Sequence, residues 1–269
     1  ISKDTVGNIR VSVHNNIANT YTADVAITGN GNVVNLDGTY NAASESFNLE
    51  LDMERLNIAS LQAFTFGNIT EGRGYISGDF NITGTVADPN VNGRLQFNDA
   101  GFRVTQLNSY FTGMENAIVF NNTGIIFNDF YIEDEKANQL VLDGTVATAD
   151  YKNFNFDLTL DADNFRAMNS TAKDNELFYG DLFLDTHLEI TGNQDVPVID
   201  GQLRINEETK FSVVLPQQDP GIADREGIIE FIDQDNMEMK QRLQFEETLN
   251  ETDVKGLDVS LNIEVVKEA

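Results

Sequence analysis

The stretch Phe47-Asn48-Leu49-Glu50-Leu51-Asp52-Met53 is the clearest indication of the fold class. Apolar and polar residues alternate along it without a break, and this period of two is typical of a strand that buries one face and exposes the other to water. The same alternation recurs from Phe154 to Leu160 and from Leu257 to Val265. Parallel strands covered by helices read instead as continuous apolar runs, so the alternation argues against a layered α/β enzyme fold.

Shorter alternating stretches fill much of the remaining chain. They lie at residues 9–13, 21–27, 80–82, 95–97, 188–190, 203–205 and 211–215. Helical spacing is scarce: it predicts one short helix from Leu56 to Phe64 and a second, weaker one from Met237 to Glu247. We therefore predict an all-β protein, an elongated stack of antiparallel, meandering strands with one or two short helices.

Glycine-containing pairs punctuate the alternating stretches. Asp37-Gly38, Asp143-Gly144 and Asp200-Gly201 supply residues that tolerate positive φ, and we expect them to form turns between strands. The glycine-rich stretch from Gly72 to Gly78 has the wrong spacing for a phosphate-binding fingerprint and precedes no helical pattern. It is also interpreted as a turn.

The composition excludes several classes of function. Forty-four Asp and Glu against 17 Lys and Arg give a formal net charge of −27. Nucleic acid and anionic lipid head groups are recognised by clustered basic residues, so neither is expected to bind by charge. The chain has no Cys and two His, and no Ser, His and Asp cluster in a nucleophile elbow. We expect no enzyme activity, no cofactor and no bound metal.

One acidic stretch allows two interpretations. His187 lies between Asp185 and Glu189 on the polar side of its strand. This arrangement could form a metal or acid-base site, or a solvated charge cluster across neighbouring strands. The second interpretation is the more ordinary one and is preferred.

The chain contains an internal repeat. Asp79-Phe-Asn-Ile-Thr-Gly84 returns as His187-Leu-Glu-Ile-Thr-Gly192, an offset of 187 − 79 = 108. Two further segments, at residues 36–39 and 47–51, return at 142–145 and 154–158. We predict repeat units near 33–110 and 139–217, followed by C-terminal strands over 218–269. No Pro-, Gly- or Ser-rich linker separates the units, so residues 1–269 are expected to form one continuous segment of a longer protein.

The sequence motif of the repeat resembles that of a known protein family. Gly84-Thr-x-x-x-Pro89-x-Val91-x-Gly93-x-Leu95 and its echo up to Leu203 resemble the C-terminal region of the TamB family, the translocation and assembly module subunit. The stretches 220–233 and 256–264 look like the Bacteroidetes branch of that family. The likeness runs from about Gly72 to the end of the chain.

The resemblance implies a fold and a function. Members are very long proteins anchored in the inner membrane of a Gram-negative cell by an N-terminal helix, and they face the periplasm. Their strands stack into an open, taco-shaped hydrophobic trough. The implied role is outer-membrane biogenesis, through phospholipid movement along the trough and association with an Omp85-type outer-membrane barrel protein. The family has no catalytic residues to carry over.

Two functions remain open at this stage. In the first, the alternating apolar residues line a conduit and contact phospholipid acyl chains; in the second, they form the dry core of structural or adhesive tandem β-sandwiches. Alternation does not separate the two, but the linker-free repeat and the acidity favour the trough. We call the following predicted lipid-contacting residues the apolar stripe: Phe47, Leu49, Leu51, Phe80, Ile82, Leu95, Phe97, Phe154, Phe156, Leu158, Leu188, Ile190, Leu203 and Ile205.

Two structural expectations follow. Residues equivalent in the repeat, such as Phe80 and Leu188, should point to the same side of the sheet, because strand register fixes side-chain direction. The final strand, from Leu257 to Val266, is long and contains no Pro. We expect it to be an edge that continues into further strands or a partner barrel.

Overall fold

Strands dominate the structure. The computed structural model describes residues 6–114, 116–214 and 258–266. Its strands are β1 (Asn8–Ile17), β2 (Thr20–Gly29), β3 (Asn32–Asn41), β4 (Ser46–Asn57), β5 (Ile69–Thr85), β6 (Pro89–Val104), β7 (Ser109–Phe111), β8 (Ile118–Asn121), β9 (Gly124–Glu133), β10 (Gln139–Ala147), β11 (Asn155–Ser170), β12 (Phe178–Asn193), β13 (Pro197–Ile205), β14 (Lys210–Val213) and β15 (Asp258–Val265). Helix α1 (Ile58–Leu61) continues into a 3-10 turn at Gln62–Phe64.

All the strands belong to one open sheet. Its order is β1-β2-β3-β4-β5-β6-β8-β9-β10-β11-β12-β13-β15, with β7 paired to β6 and β14 paired to β12. The all-β prediction and the open form are therefore confirmed. Tandem sandwiches need separate sheets packed face to face, and the described strands do not divide in this way. The sandwich alternative is wrong for this part of the chain.

One strand pair departs from the predicted antiparallel meander. β15 pairs with β13 in parallel, with Ile199 opposite Val259 and Leu203 opposite Ile263. A parallel neighbour requires a crossover connection rather than a hairpin. Period-two alternation is the same for both directions, so the sequence pattern could not reveal this pair.

Three predicted turns lie inside strands. Gly38, Gly144 and Gly201 are within β3, β10 and β13, with φ of +154°, +116° and +150°. A Cβ built on Gly38 would lie 2.2 Å from the Asn48 carbonyl oxygen of β4. These glycines permit a kink and a close approach of the neighbouring backbone in mid-strand, a device that curves sheets. The predicted turn from Gly72 to Gly78 is likewise part of β5.

The short predicted helix is present but begins later than expected. Leu56 still belongs to β4, and α1 covers Ile58–Leu61. Ile58 and Ser60 of this helix are buried, so it covers one part of the sheet. The second candidate, from Met237 to Glu247, lies outside the described residues.

β-bulges bend several strands at a similar level. Two residues oppose one in β4 after Met53, in β6 after Asn98, in β9 after Phe127 and in β11 after Ala162. A bulge shifts the side-chain phase by one, so the apolar face continues at the third residue instead of the second. We call this line of bulges the crease.

The packed core lies along one long edge of the sheet, beyond the crease. Ile58, Ile76, Ala100 and Met114 form a buried cluster, and Leu95, Phe97 and Phe130 are among the half-buried residues packed against it. We call this side the closed edge. The opposite long edge, formed by the hairpin turns at 42–45, 86–88, 122–123, 148–154 and 194–196, is called the open edge.

Candidate functional site

A row of paired apolar positions crosses the sheet from strand to strand. Directly paired residues project to the same face, so this row describes a continuous surface. It spans about 50 Å, taking roughly 4.8 Å between neighbouring strands. Its members, in spatial order, are Val11, Val25, Leu36, Leu51, Phe80, Gly93, Phe120, Ile125, Val146, Phe156, Gly192 and Pro197.

The structure places the apolar stripe on this face. Leu51 pairs with Phe80, and Leu158 pairs with Ile190, so stripe residues of neighbouring strands meet directly. All fourteen stripe residues are half-buried, whereas core residues such as Phe165 are 2% exposed. The face is thus largely apolar and remains open to solvent.

The fourteen residues are not all equivalent. Leu95 and Phe97 pack against the buried cluster at the closed edge, and the ring of Phe97 lies 5.5 Å from that of Phe130. Phe154 precedes β11, in the loop at the open edge. The stripe therefore extends from a packed margin on one side to an exposed margin on the other.

The two predicted repeat units share part of their register. Phe80 pairs with Gly93, and the corresponding Leu188 pairs with Gly201. In the neighbouring ladder the first unit pairs Leu49 with Ile82, while the second is displaced by two residues. A displacement of two preserves the face. The division into two units stays a prediction.

Sequence reasoning missed part of the apolar face. Phe120, Ile125 and Phe127 belong to it but stand in the continuous apolar runs 117–120 and 124–127, where alternation gives no signal. A second signal was available in the spacing of three between Phe127 and Phe130, which marks the bulge of β9.

The opposite face of the sheet is acidic. Asp24 pairs with Asp37, which pairs with Glu50, so three carboxylates lie side by side on β2, β3 and β4. Desolvation, followed by the negative charge of Asp24, raises the pKa of Asp37. Like charges in contact favour a solvated surface, which fits an outer wall that faces water.

His187 belongs to this outer surface. Its Nδ1 lies 2.6 Å from the Asp161 carboxylate on β11, and the side chains are 57% and 55% exposed. The hydrogen bond to Asp161 raises the pKa of His187. Within the residues that the structure covers, no group of three His, Cys, Asp or Glu side chains could hold a metal ion. The geometry is that of a solvent-exposed hydrogen bond between side chains on two neighbouring strands.

At the crease, side chains satisfy the backbone groups that the bulges leave unpaired. The Asn164 N–H donates to the Asp185 carboxylate at 2.8 Å, and the Asp129 N–H donates to Asp143 at 2.7 Å. Burial by itself raises the pKa of Asp185, but hydrogen bonds from Asn206 Nδ2 and the Asn164 N–H outweigh it and lower the value. These carboxylates hold the bend of the sheet in place.

An open single sheet with one continuous apolar face and one acidic face defines a class of elongated, groove-forming β proteins. The family model of the TamB C-terminal domain matches residues 26–124 and 128–268. The chain therefore belongs to the TamB family. Neither a curated protein nor a solved structure gives a significant match.

Family membership gives the coarse function. TamB proteins are non-enzymatic transport and assembly proteins, and this chain has a TamB-like role in outer-membrane biogenesis, in the cell envelope. Within residues 6–114, 116–214 and 258–266, no helix has the length and hydrophobicity of a transmembrane span.

Proposed function

We propose that this chain is a periplasm-facing section of a phospholipid conduit between the inner and outer membranes. Acyl chains lie along the apolar stripe, and the parent protein is anchored in the inner membrane. The conduit works with an Omp85-type outer-membrane barrel protein, in lipid transport, in the assembly or secretion of outer-membrane proteins, or in both. The transport needs no cofactor, because the lipid is moved and not chemically changed.

The observation that carries this proposal is the unbroken row of apolar, Gly or Pro positions across twelve strands. Each acyl methylene removed from water contributes roughly 0.8 kcal/mol, so a chain of about 16 carbons gains on the order of 10 kcal/mol before ordering costs. Such affinity requires a continuous apolar surface and no specific polar contact. A lipid can therefore shift along the row without losing its binding energy at each step.

Burial supports a conduit over a dry module. A sandwich would remove the inward face from water, whereas the stripe residues keep part of their surface exposed. The protein does have a dry core, but it lies at the closed edge, beyond the crease. The exposed part of the apolar face is the part available to a lipid.

The acidic face supports a water-facing outer wall. Carboxylates on the side opposite the stripe keep an apolar trough soluble and oppose association with anionic surfaces. A lipid is then held by the inner face alone, without competing contacts outside.

β15 supports the proposed continuation of the sheet. In the described part of the chain its ladder neighbour is β13, and Val259, Ile263 and Val265 are 46%, 57% and 59% exposed. An edge strand with free N–H and C=O groups and an exposed apolar face is suited to pair with another strand. We propose that this partner is another strand of the parent protein or the edge of the Omp85-type barrel.

The test uses two adjacent positions of β11 that face opposite ways. Phe156 is half-buried on the apolar face, and Asn155 is exposed. Phe156→Asp places a carboxylate against hydrocarbon, which is strongly unfavourable, while Asn155→Asp adds the same charge to the acidic face. We expect Phe156→Asp to abolish co-purifying phospholipid in native mass spectrometry and Asn155→Asp to retain it, with both variants folded. A lipid-free wild-type protein after gentle purification would refute the conduit.

A further inference from the structure

A short segment that contains β7 lies between β6 and β11 at the closed edge of the sheet. β6 pairs with β8 only from Gly93 to Leu95, and further along it pairs instead with β7, from Phe102 to Val104. β7 therefore takes the ladder position of β8 at this edge. We call residues 105–112, which contain β7, the strap.

The strap makes contact with β11. The ring of Phe111 stacks on that of Phe165 with centroids 5.6 Å apart and planes 9° apart, and the two residues are 6% and 2% exposed. The Asn169 N–H donates to the Leu107 carbonyl at 3.0 Å, and Asn108 Nδ2 donates to the Asn169 carbonyl at 2.9 Å. The strap is thus joined to β11 by a buried ring pair and two hydrogen bonds.

These contacts require strong curvature. In the sheet order, β9 and β10 lie between the ladder position of β7 and β11. Three intervals would separate them by about 14 Å in a flat sheet. The hydrogen bond from the Asn169 N–H to the Leu107 carbonyl instead brings the strap beside β11, past the ends of β9 at Glu133 and of β10 at Gln139, so the sheet is narrower at the closed edge than along the row. The section from β6 to β11 is therefore curled, and the strap holds it.

Aromatic rings crowd the apolar face within this curled section. The rings of Phe80 and Phe120 meet edge to face at 5.3 Å, although β6 lies between their strands. They meet because the intervening residue is Gly93, where a Cβ would lie 2.5 Å from the Phe80 ring. Phe127 lies 6.0 Å from Phe130, ring centre to ring centre. We call Phe80, Phe120, Phe127 and Phe130 the ring cluster.

We propose that the ring cluster is a constriction in the trough, that the strap holds it narrow, and that it limits how many acyl chains occupy the midsection together. The inference rests on the proposed lipid conduit. The rings of Phe80 and Phe120 meet above Gly93 and occupy the space that this glycine leaves on the apolar face, so fewer acyl chains can lie side by side here than elsewhere along the row. Phe120 is the determining residue because it lies on the shortest strand of the row and reaches across to β5.

The test compares variants that widen the trough in two independent ways. Phe120→Ala removes a ring from the cluster, and Asn108→Ala removes one of the strap's two hydrogen bonds to β11 from a site outside the apolar face. Phe66→Ala is the matched control, because Phe66 is 96% exposed on the turn after α1 and belongs to neither feature. The whole chain is loaded with dioleoyl phosphatidylethanolamine. Native mass spectrometry counts the bound lipids, and transfer to acceptor vesicles gives the exchange rate.

We expect both widening variants to hold at least one more lipid than wild type and to exchange it several-fold faster, with Phe66→Ala unchanged. Wild-type lipid counts and rates in Phe120→Ala and Asn108→Ala, with lipid still bound, would overturn the constriction and leave the conduit intact. A lipid-free wild-type protein would overturn both. If Phe120→Ala does not fold, Phe120→Val removes the ring and part of its volume, keeps a residue that favours a strand, and carries the same expectation.

Discussion

Two phenylalanines of β11 should differ sharply in their contribution to stability. Phe156 and Phe165 lie on the same strand and the same face, on opposite sides of the crease. Phe165 is 2% exposed and stacks on Phe111, while Phe156 is half-buried and pairs with Val146 and Gly192. Only Phe165 belongs to the dry core.

The magnitudes follow from burial. Truncating a fully buried Phe to Ala costs about 3–5 kcal/mol through lost transfer energy and the cavity left behind. The stacked partner adds roughly 0.5–1.5 kcal/mol to such a site. We therefore expect Phe165→Ala to cost about 4 kcal/mol. Truncating Phe156 leaves no closed cavity, because the space opens to solvent, and it should cost about 1 kcal/mol.

Urea unfolding followed by circular dichroism measures both values, and the denaturation midpoints should order as wild type, Phe156→Ala, then Phe165→Ala. The comparison is internal to one strand, so errors of extrapolation largely cancel. Equal costs near 4 kcal/mol would show that the stripe is as dry as the core and would refute the open face. Equal costs near 1 kcal/mol would show that the closed edge is not packed.

Two further predictions concern the bends of the sheet. Gly144→Ala should destabilise the protein strongly or prevent folding, because its Cβ would lie 2.2 Å from the Asp157 carbonyl oxygen at a φ of +116°. The control is Ala147→Gly in the same strand. Wild-type stability of Gly144→Ala would contradict the mid-strand kink. The pKa of Asp185 is lowered in the folded protein, so its carboxylate stabilises the fold at pH values above the pKa of the unfolded state, about 3.9. This contribution is lost as the pH falls through the lower pKa of the native state. Asp185→Asn should therefore lower the urea midpoint at pH 7 and reduce the difference between the midpoints at pH 7 and pH 3. An unchanged pH dependence of the midpoint would show that Asp185 does not hold the bulge of β11.

The alternating pattern predicted the strands and their apolar face because side-chain direction in a strand is local. Successive residues point to opposite sides whatever the neighbours are, so the half-buried positions of Leu49, Leu51 and Phe156 follow from their spacing alone. The same reasoning explains why the fourteen stripe residues could be selected without knowing the sheet order. It also explains the omission of Phe120, which stands in a short continuous apolar run.

The Asp-Gly pairs show what the local sequence cannot predict. Positive φ serves a hairpin turn and a mid-strand kink equally well, and only the position of the neighbouring strand distinguishes them. Gly38 is a kink because the backbone of β4 passes 2.2 Å from where its Cβ would lie. The sequence could identify the conformation but not its use.

Curvature was decided by contacts between residues far apart in the chain. The strap joins Leu107 and Phe111 to Asn169 and Phe165, and the parallel pair of β13 with β15 joins segments more than fifty residues apart. Neither contact leaves a periodic trace, because periodicity records which face a residue occupies and not which strand lies beside it. Hydrophobic alternation therefore determines that this chain has one apolar face, and tertiary packing at the closed edge determines that the face is folded into a trough.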